Sequence, residues 1–134
     1  MSIKVKILGS NSAAPAHKRN QTSQLLTIEG HLYLMDCGEG TQLQLKRYRV
    51  PIQRINNIFI SHLHGDHYGW NYREDTEERK PTFPNAEYIV HTKDWEHWTS
   101  DSMKSDEPDD PLTRSVLPLF DDGLLKLIEG QTQI

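Results

Sequence analysis

Within residues 59–69, FISHLHGDHYG, three imidazoles and a carboxylate fall in six positions: His62, His64, Asp66 and His67. Imidazole nitrogens and carboxylate oxygens with no thiolate among them form a ligand set suited to a catalytic transition metal, zinc first. The spacing His-x-His-x-Asp-His brings these donors to one small volume only if the backbone turns there, and Gly65 and Gly69 are the residues expected to permit the turn. Surface histidines on a loop are the plainer alternative, but four donors in six residues is a dense cluster for that. His17, His31, His91 and His97 stand singly and are read as packing or surface residues. Trp70, Trp95 and Trp98 are expected to bury area against a sheet face.

The dense motif must sit at the end of a strand. Residues 55–62, INNIFISH, form a short apolar run of the kind that makes a buried strand, and the histidines begin where it stops. Upstream, residues 2–9, SIKVKILG, alternate Ile3, Val5 and Ile7 with polar neighbours, the period of a half-buried strand, ended by Gly9. Residues 9–19 are small and polar, with Pro15, and predict a loop. Residues 21–38 predict a hairpin turning at Glu29 and Gly30, its second strand ending at Asp36. A short helix should follow, with Leu43, Lys46 and Arg47 at helical spacing and Pro51 stopping it. Further on, NAEYIVH predicts a strand, TKDWEHWTS a helix with Thr92 as N-cap, and DGLLKLIEG a turn into another strand. Residues 101–111 are an acidic loop, expected to be solvated.

A chain of 134 residues has room for one compact domain. With 35% apolar and 25% charged residues it belongs with globular rather than disordered or fibrous chains. No apolar run approaches a membrane span, and the first residues lack the apolar stretch of a signal peptide, so no membrane partner and a cytoplasmic location are expected. Cys37, the single cysteine, can form no internal disulfide and is read as a small buried thiol. The net charge of -4 hides an asymmetry: residues 1–68 carry eight basic against four acidic side chains, and the remainder seven against fifteen. Such an imbalance points to an anionic partner for the first part, or to parts of different ancestry.

The stretch SHLHGDHYG is similar to the signature of the metallo-β-lactamase superfamily. That resemblance implies an α/β chain built as a four-layer αββα sandwich with two zinc ions at the edge of its sheets. It places His62 and His64 on the first zinc and Asp66 and His67 on the second, with Asp66 taking part in catalysis. Two metals a few Å apart can share a hydroxide that becomes the nucleophile.

From residue 3 to residue 68 the chain resembles ribonuclease Z, which trims the 3′ trailer of precursor tRNA. The resemblance rests on ILGSNSAAP (residues 7–15), NQTSQLL (20–26), LYLMDCGEGTQLQL (32–45) and IFISHLHGDHY (58–68). It implies that Asp36 hydrogen-bonds the ligand imidazoles and fixes their orientation. A strand-end turn or N-cap aspartate is the alternative. After Tyr68 the chain resembles instead the lactonase-like and phosphotriesterase-like hydrolases of the same superfamily. In those relatives the third ligand of the first zinc, the bridging aspartate and the last histidine of the second zinc lie beyond the point where LLKLIEGQTQI stops. The expectation is therefore the N-terminal half of the sandwich: a single incomplete domain, ribonuclease Z-like over 1–68 and lactonase-like over 69–134. Metal binding by two protein ligands per ion should be weak.

Three functions follow as expectations. The first is a zinc-dependent phosphodiesterase that processes the 3′ end of precursor tRNA. The second is a lactonase or esterase using the same site, with Trp70 or Tyr72 shaping an apolar pocket. The third is a half-fold without catalysis that pairs with another copy, as a homodimer, or with a partner through an uncovered sheet face.

Overall fold

The computed structural model describes residues 1–12, 17–73, 78–107 and 109–130. Expectations that fall on 13–16, 74–77, 108 and 131–134, the Pro15 loop among them, lie outside the described residues. Strand β1 (Ile3–Gly9) is followed by the hairpin of β2 (Ser23–Ile28) and β3 (His31–Met35). Glu29 and Gly30 form its turn with φ of 50° and 86°, the pair of left-handed residues that lets a two-residue turn follow the twist of its strands. Helix α1 (Thr41–Arg47) and a 3-10 turn at Ile52–Arg54 lead to β4 (Ile55–Phe59), which lies parallel to β3. Helix α2 (Gly65–Tyr68) and a small ribbon of β5 (Tyr72–Arg73) with β6 (Lys80–Pro81) precede β7 (Glu87–His91). Helices α3 (Thr92–Thr99), α4 (Pro111–Ser115) and α5 (Leu117–Asp121) then lead to β8 (Leu125–Ile128).

One sheet gathers six of these strands in the order β1-β2-β3-β4-β7-β8, antiparallel across the first three and parallel from β3 onward. Strands from both sides of residue 68 are thus hydrogen-bonded neighbours. The register puts Leu25, Leu34, Ile58 and Tyr88 in one row across the sheet, all buried. With Leu45, Leu63, Val116 and Leu119 they form the core. Burying side chains of this size supplies about 1.5–3 kcal/mol each before conformational entropy is subtracted.

The opposite face is uncovered along β1. Ile3, Val5 and Ile7 alternate as expected, yet they are 53%, 61% and 56% exposed, so the expectation of a half-buried strand is corrected. Their set continues onto β2 and β3 through Leu26 and Tyr33. β1 is the edge strand of the sheet, and farther across the same face Ile89 of β7 is fully buried. An amphipathic period therefore marks two faces without saying which one is packed.

Two details of the helices also differ from expectation. Thr92 opens α3 but does not cap it; the cap is His91, whose Nδ1 accepts the Lys93 N–H at 3.1 Å, while Thr92 donates to Ile128 O. The acidic loop ends in α4, where Asp110 caps the N–H of Thr113 at 3.0 Å and Pro111 sits at the first helical position. An N-cap aspartate followed by proline is a helix-start signal, and neither α4 nor α5 was anticipated.

Candidate metal centre

Strand β4 ends at Phe59, and the motif occupies the turn beyond it. Asp36 stands at the end of the neighbouring strand β3 in the left-handed conformation, φ 59°, with its N–H donating to Phe59 O at 2.8 Å. This non-glycine φ turns its carboxylate under the motif. Asp36 Oδ1 accepts the Ser61 N–H at 2.8 Å and Oδ2 accepts the Ser61 hydroxyl at 2.9 Å. The same Oδ2 lies 2.8 Å from His67 Nδ1. A carboxylate facing Nδ1 favours the tautomer protonated there, which leaves the Nε2 lone pair outward, as a metal ligand requires.

Backbone hydrogen bonds lock the turn. His64 N–H donates to His62 O at 3.0 Å, His67 N–H to His64 O at 2.9 Å, and Cys37 N–H to His67 O at 2.7 Å. The exit of β3 is pressed against this turn so closely that a side chain at Gly38 would overlap the Asp66 carbonyl. Gly65 and Gly69 serve differently from expectation: Gly65 opens α2 and Gly69, φ -58°, is right-handed, so neither is needed for an unusual backbone angle. A side chain at Gly65 would only touch Pro111 of α4 at ordinary contact distance, 3.5 Å, so the packing does not demand glycine there either.

The imidazoles converge. The ring centroids of His62 and His67 are 3.8 Å apart, those of His62 and His64 4.6 Å, edge to face. Asp66 Oδ2 is 3.5 Å from His67 Nε2. Burial first, then the neighbouring His67 and His64, holds His62 below the ordinary imidazole pKa, which favours the neutral ring that a metal needs. The donor chemistry therefore fits a borderline metal such as zinc. Among the described residues, however, no three His, Cys, Asp or Glu side chains are grouped so as to hold one ion. Cys37 is no part of this set: it is fully buried, and burial pushes its thiol pKa up.

Sequence reasoning missed four supports of this turn. Asp94 on α3 accepts the Leu63 N–H at 2.5 Å, and Ser61 mediates between Asp36 and the rings of His62 and His67, 3.2 Å from each Nδ1. Glu39 Oε2 takes the Trp70 indole N–H at 2.6 Å, and Trp98 meets the His64 ring edge-on at 5.3 Å. These joins needed the fold, because 31 residues separate Asp94 from Leu63 and Trp70 from Glu39, and 25 separate Ser61 from Asp36. His91 caps α3, and His97, exposed on the same helix, touches the Trp98 ring at 5.3 Å, so it reaches the motif only through that tryptophan. Tyr72 is buried with its hydroxyl on Asp122 at 2.7 Å, so it does not shape a pocket at the motif.

A cleft of about 610 Å³ opens over His64, Gly65 and Asp66. Its far wall is α4, whose Pro111, Arg114 and Ser115 share one helix face toward it. Carboxylates from Glu39, Asp66 and Asp109 line it together with the Arg114 guanidinium. Arg114 has Asp109 as a partner at 3.7 Å, and both side chains are solvent-accessible, so that pairing is worth little.

Comparison with known proteins places this geometry. The family model described as Anti-Pycsar protein Apyc1 matches residues 3–109, on both sides of Tyr68. Ribonuclease Z of Azobacteroides pseudotrichonymphae is 54% identical over 63 residues, covering 47% of this chain and 22% of the relative. The mouse protein named zinc phosphodiesterase ELAC protein 1 is 47% identical over 68 residues, 51% of this chain and 19% of its own length. The matched residues thus span about a fifth of these relatives. The solved structure of AidC, a dizinc quorum-quenching lactonase, superposes with a TM-score of 0.63 at 20% identity, covering 85% of this chain and 45% of that one. Both resemblances read from the motifs hold, and the fold is that of the metallo-β-lactamase superfamily.

Proposed function

The chain belongs to the family described as Anti-Pycsar protein Apyc1, and from that premise we propose that it carries the metal-binding half of a zinc-dependent phosphodiesterase acting on the 3′ end of precursor tRNA. The observation that carries this is the buried Asp36 carboxylate, which holds the His67 ring and the Ser61 backbone of the motif together. His62 and His64 would hold one zinc ion, and Asp66 and His67 a second. Bound there, zinc supplies Lewis acidity toward a phosphoryl oxygen and a nucleophile at neutral pH. Asp36 keeps the Nδ1 proton of His67 in place and so presents Nε2. Asp66 Oδ2, on the cleft floor, would take the proton of the attacking water. Arg114, from the opposite wall, meets the negative charge of the phosphodiester, a charge-assisted contact of the stronger kind.

That cation favours a phosphodiester over the lactone alternative, whose carbonyl is neutral. Zinc per chain, measured by elemental mass spectrometry after dialysis against metal-free buffer, should be near one or more and should fall in His64→Ala. Precursor tRNA should then be cleaved and an acyl lactone should not. Zinc far below one per chain, or lactone turnover alone, would remove the proposal.

The uncovered apolar face of β1 to β3 favours a second reading, in which the chain pairs with another copy through Ile3, Val5 and Ile7. Sedimentation equilibrium should then give twice the chain mass, and Val5→Glu should return it to the single mass.

A further inference from the structure

Strand β4 runs five residues from its start at Ile55 to the motif, about 16 Å at ~3.3 Å per residue. On the β1 side of the sheet the molecule carries a second groove, of about 450 Å³, lined on different elements by Lys4 and Lys6 of β1, which stand in the rows of Ile55 and Ile58, by Arg49 after α1 and by Arg54 before β4. Its remaining lining residues are uncharged. Among the described residues none of the four cations lies within ion-pair distance of a carboxylate. Of the four carboxylates in residues 1–68, Asp36, Glu39 and Asp66 stand at the motif end, which leaves Glu29 in the β2–β3 turn.

Fold requirements do not account for this clustering. Lys46 and Arg47, in the last turn of α1, complement the partial negative charge of that helix end. Lys4 and Lys6 of β1 have no such duty, whereas Arg54 closes the 3-10 turn. Two of the cations are also held in position without being neutralised. The Lys6 ammonium sits 4.3 Å over the Tyr48 ring, and Arg54 Nη2 donates to Gly30 O at 3.1 Å. A ring face and a backbone carbonyl orient a cation but leave its full charge available to an incoming anion. The exposed Tyr48 ring beside them offers a stacking surface to a base.

We infer that this groove binds the phosphate backbone of RNA, a contact apart from the metal cleft that positions a polynucleotide whose other part enters the cleft. The identity of the polyanion rests on the phosphodiesterase proposal; the groove does not. Backbone contacts of this kind carry no sequence information but set register and orientation. They weaken as salt rises, because each neutralised phosphate releases counterions.

The test is fluorescence anisotropy with a labelled RNA stem-loop bearing a single-stranded 3′ tail, between 50 and 200 mM salt on the scale where such binding changes by roughly orders of magnitude. The wild-type chain should bind with a linear log-log salt dependence. The triple variant Lys4→Gln, Lys6→Gln, Arg49→Gln should bind at least about tenfold more weakly at the low-salt end, its slope reduced by about 0.7–0.9 for each phosphate left without its cation. A control with the same net charge, Lys93→Gln, Lys104→Gln, Lys126→Gln, should stay within about twofold of wild type. All these side chains are exposed except Lys126, which is half-buried on β8, and equal thermal melts would confirm intact folding. The inference is overturned if the triple variant matches wild type, if the control weakens as much, if wild type binds no RNA, or if the three cations serve phosphatidylserine vesicles rather than RNA. Zinc content, measured on the same samples, separates the two ideas. Zinc absent with groove-dependent RNA binding retained sinks the phosphodiesterase proposal alone; zinc and cleavage present with the triple variant unaffected sinks the groove alone.

Discussion

Where β4 ends, one buried carboxylate, Asp36, reaches a backbone N–H, a hydroxyl and an imidazole at once; on the β1 side of the sheet, Lys4, Lys6, Arg49 and Arg54 stand exposed around a groove with no shared partner. The first arrangement is a network in a low-dielectric setting, where each member depends on the others. The second is a sum of nearly independent charges in water, where each contributes a little and salt screens all of them. One sheet thus carries a site of precise geometry and a site of simple electrostatics. Single substitutions should therefore be severe at one site and mild at the other.

The largest effect is expected for His64→Ala, which removes one of two donors from an ion: zinc affinity should fall by at least about a hundredfold, read by competition against a chromogenic chelator. A fall of less than about tenfold would mean that His64 is not a ligand. Next comes Asp36→Asn. The amide can still accept the Ser61 N–H but no longer holds the His67 proton with a charge, so zinc affinity should drop about 10–100-fold while the thermal melt moves little. Equal falls in stability and in zinc affinity would instead assign Asp36 a purely structural task.

Arg114→Ala tests the cleft wall between the two extremes. KM for a phosphodiester should rise about tenfold, as expected when one charge-assisted hydrogen bond is removed, with zinc content unchanged and any neutral ester unaffected. An equal effect on both substrates would show that Arg114 does not read charge. Arg49→Gln alone sits at the small end, with RNA binding about threefold weaker and the salt slope reduced by less than about one. A much larger effect from this single change would abolish the contrast, since it would reveal a network at the basic groove as well.

Much of the frame was legible in the residues. The hairpin at Glu29-Gly30 was, because two left-handed positions demand such residues. So was the placement of His62, His64, Asp66 and His67 at a strand end, because a short apolar run stops where the polar cluster starts. Attention to Asp36 came through resemblance, and its hydrogen bonds to Ser61 and His67 are visible only in the folded chain. Other features were not legible. The alternation of Ile3, Val5 and Ile7 is the same whether that face is covered or open, since period reports two faces and not their neighbours. Gly65 and Gly69 looked like turn residues, yet neither is needed for its own backbone angle, and the glycine that close packing does require is Gly38, where a side chain would overlap the Asp66 carbonyl.

The amino-acid sequence by itself determined the ligand types, their spacing, the strand and turn that carry them and the excess of positive charge in residues 1–68, because all of these depend on near neighbours in the chain. Only the tertiary structure decided that Asp94 and Arg114 come to the motif and that Lys4, Lys6, Arg49 and Arg54 meet at one groove. Those meetings are made by strand order and helix crossings, which join residues tens of positions apart through packing that no local pattern encodes.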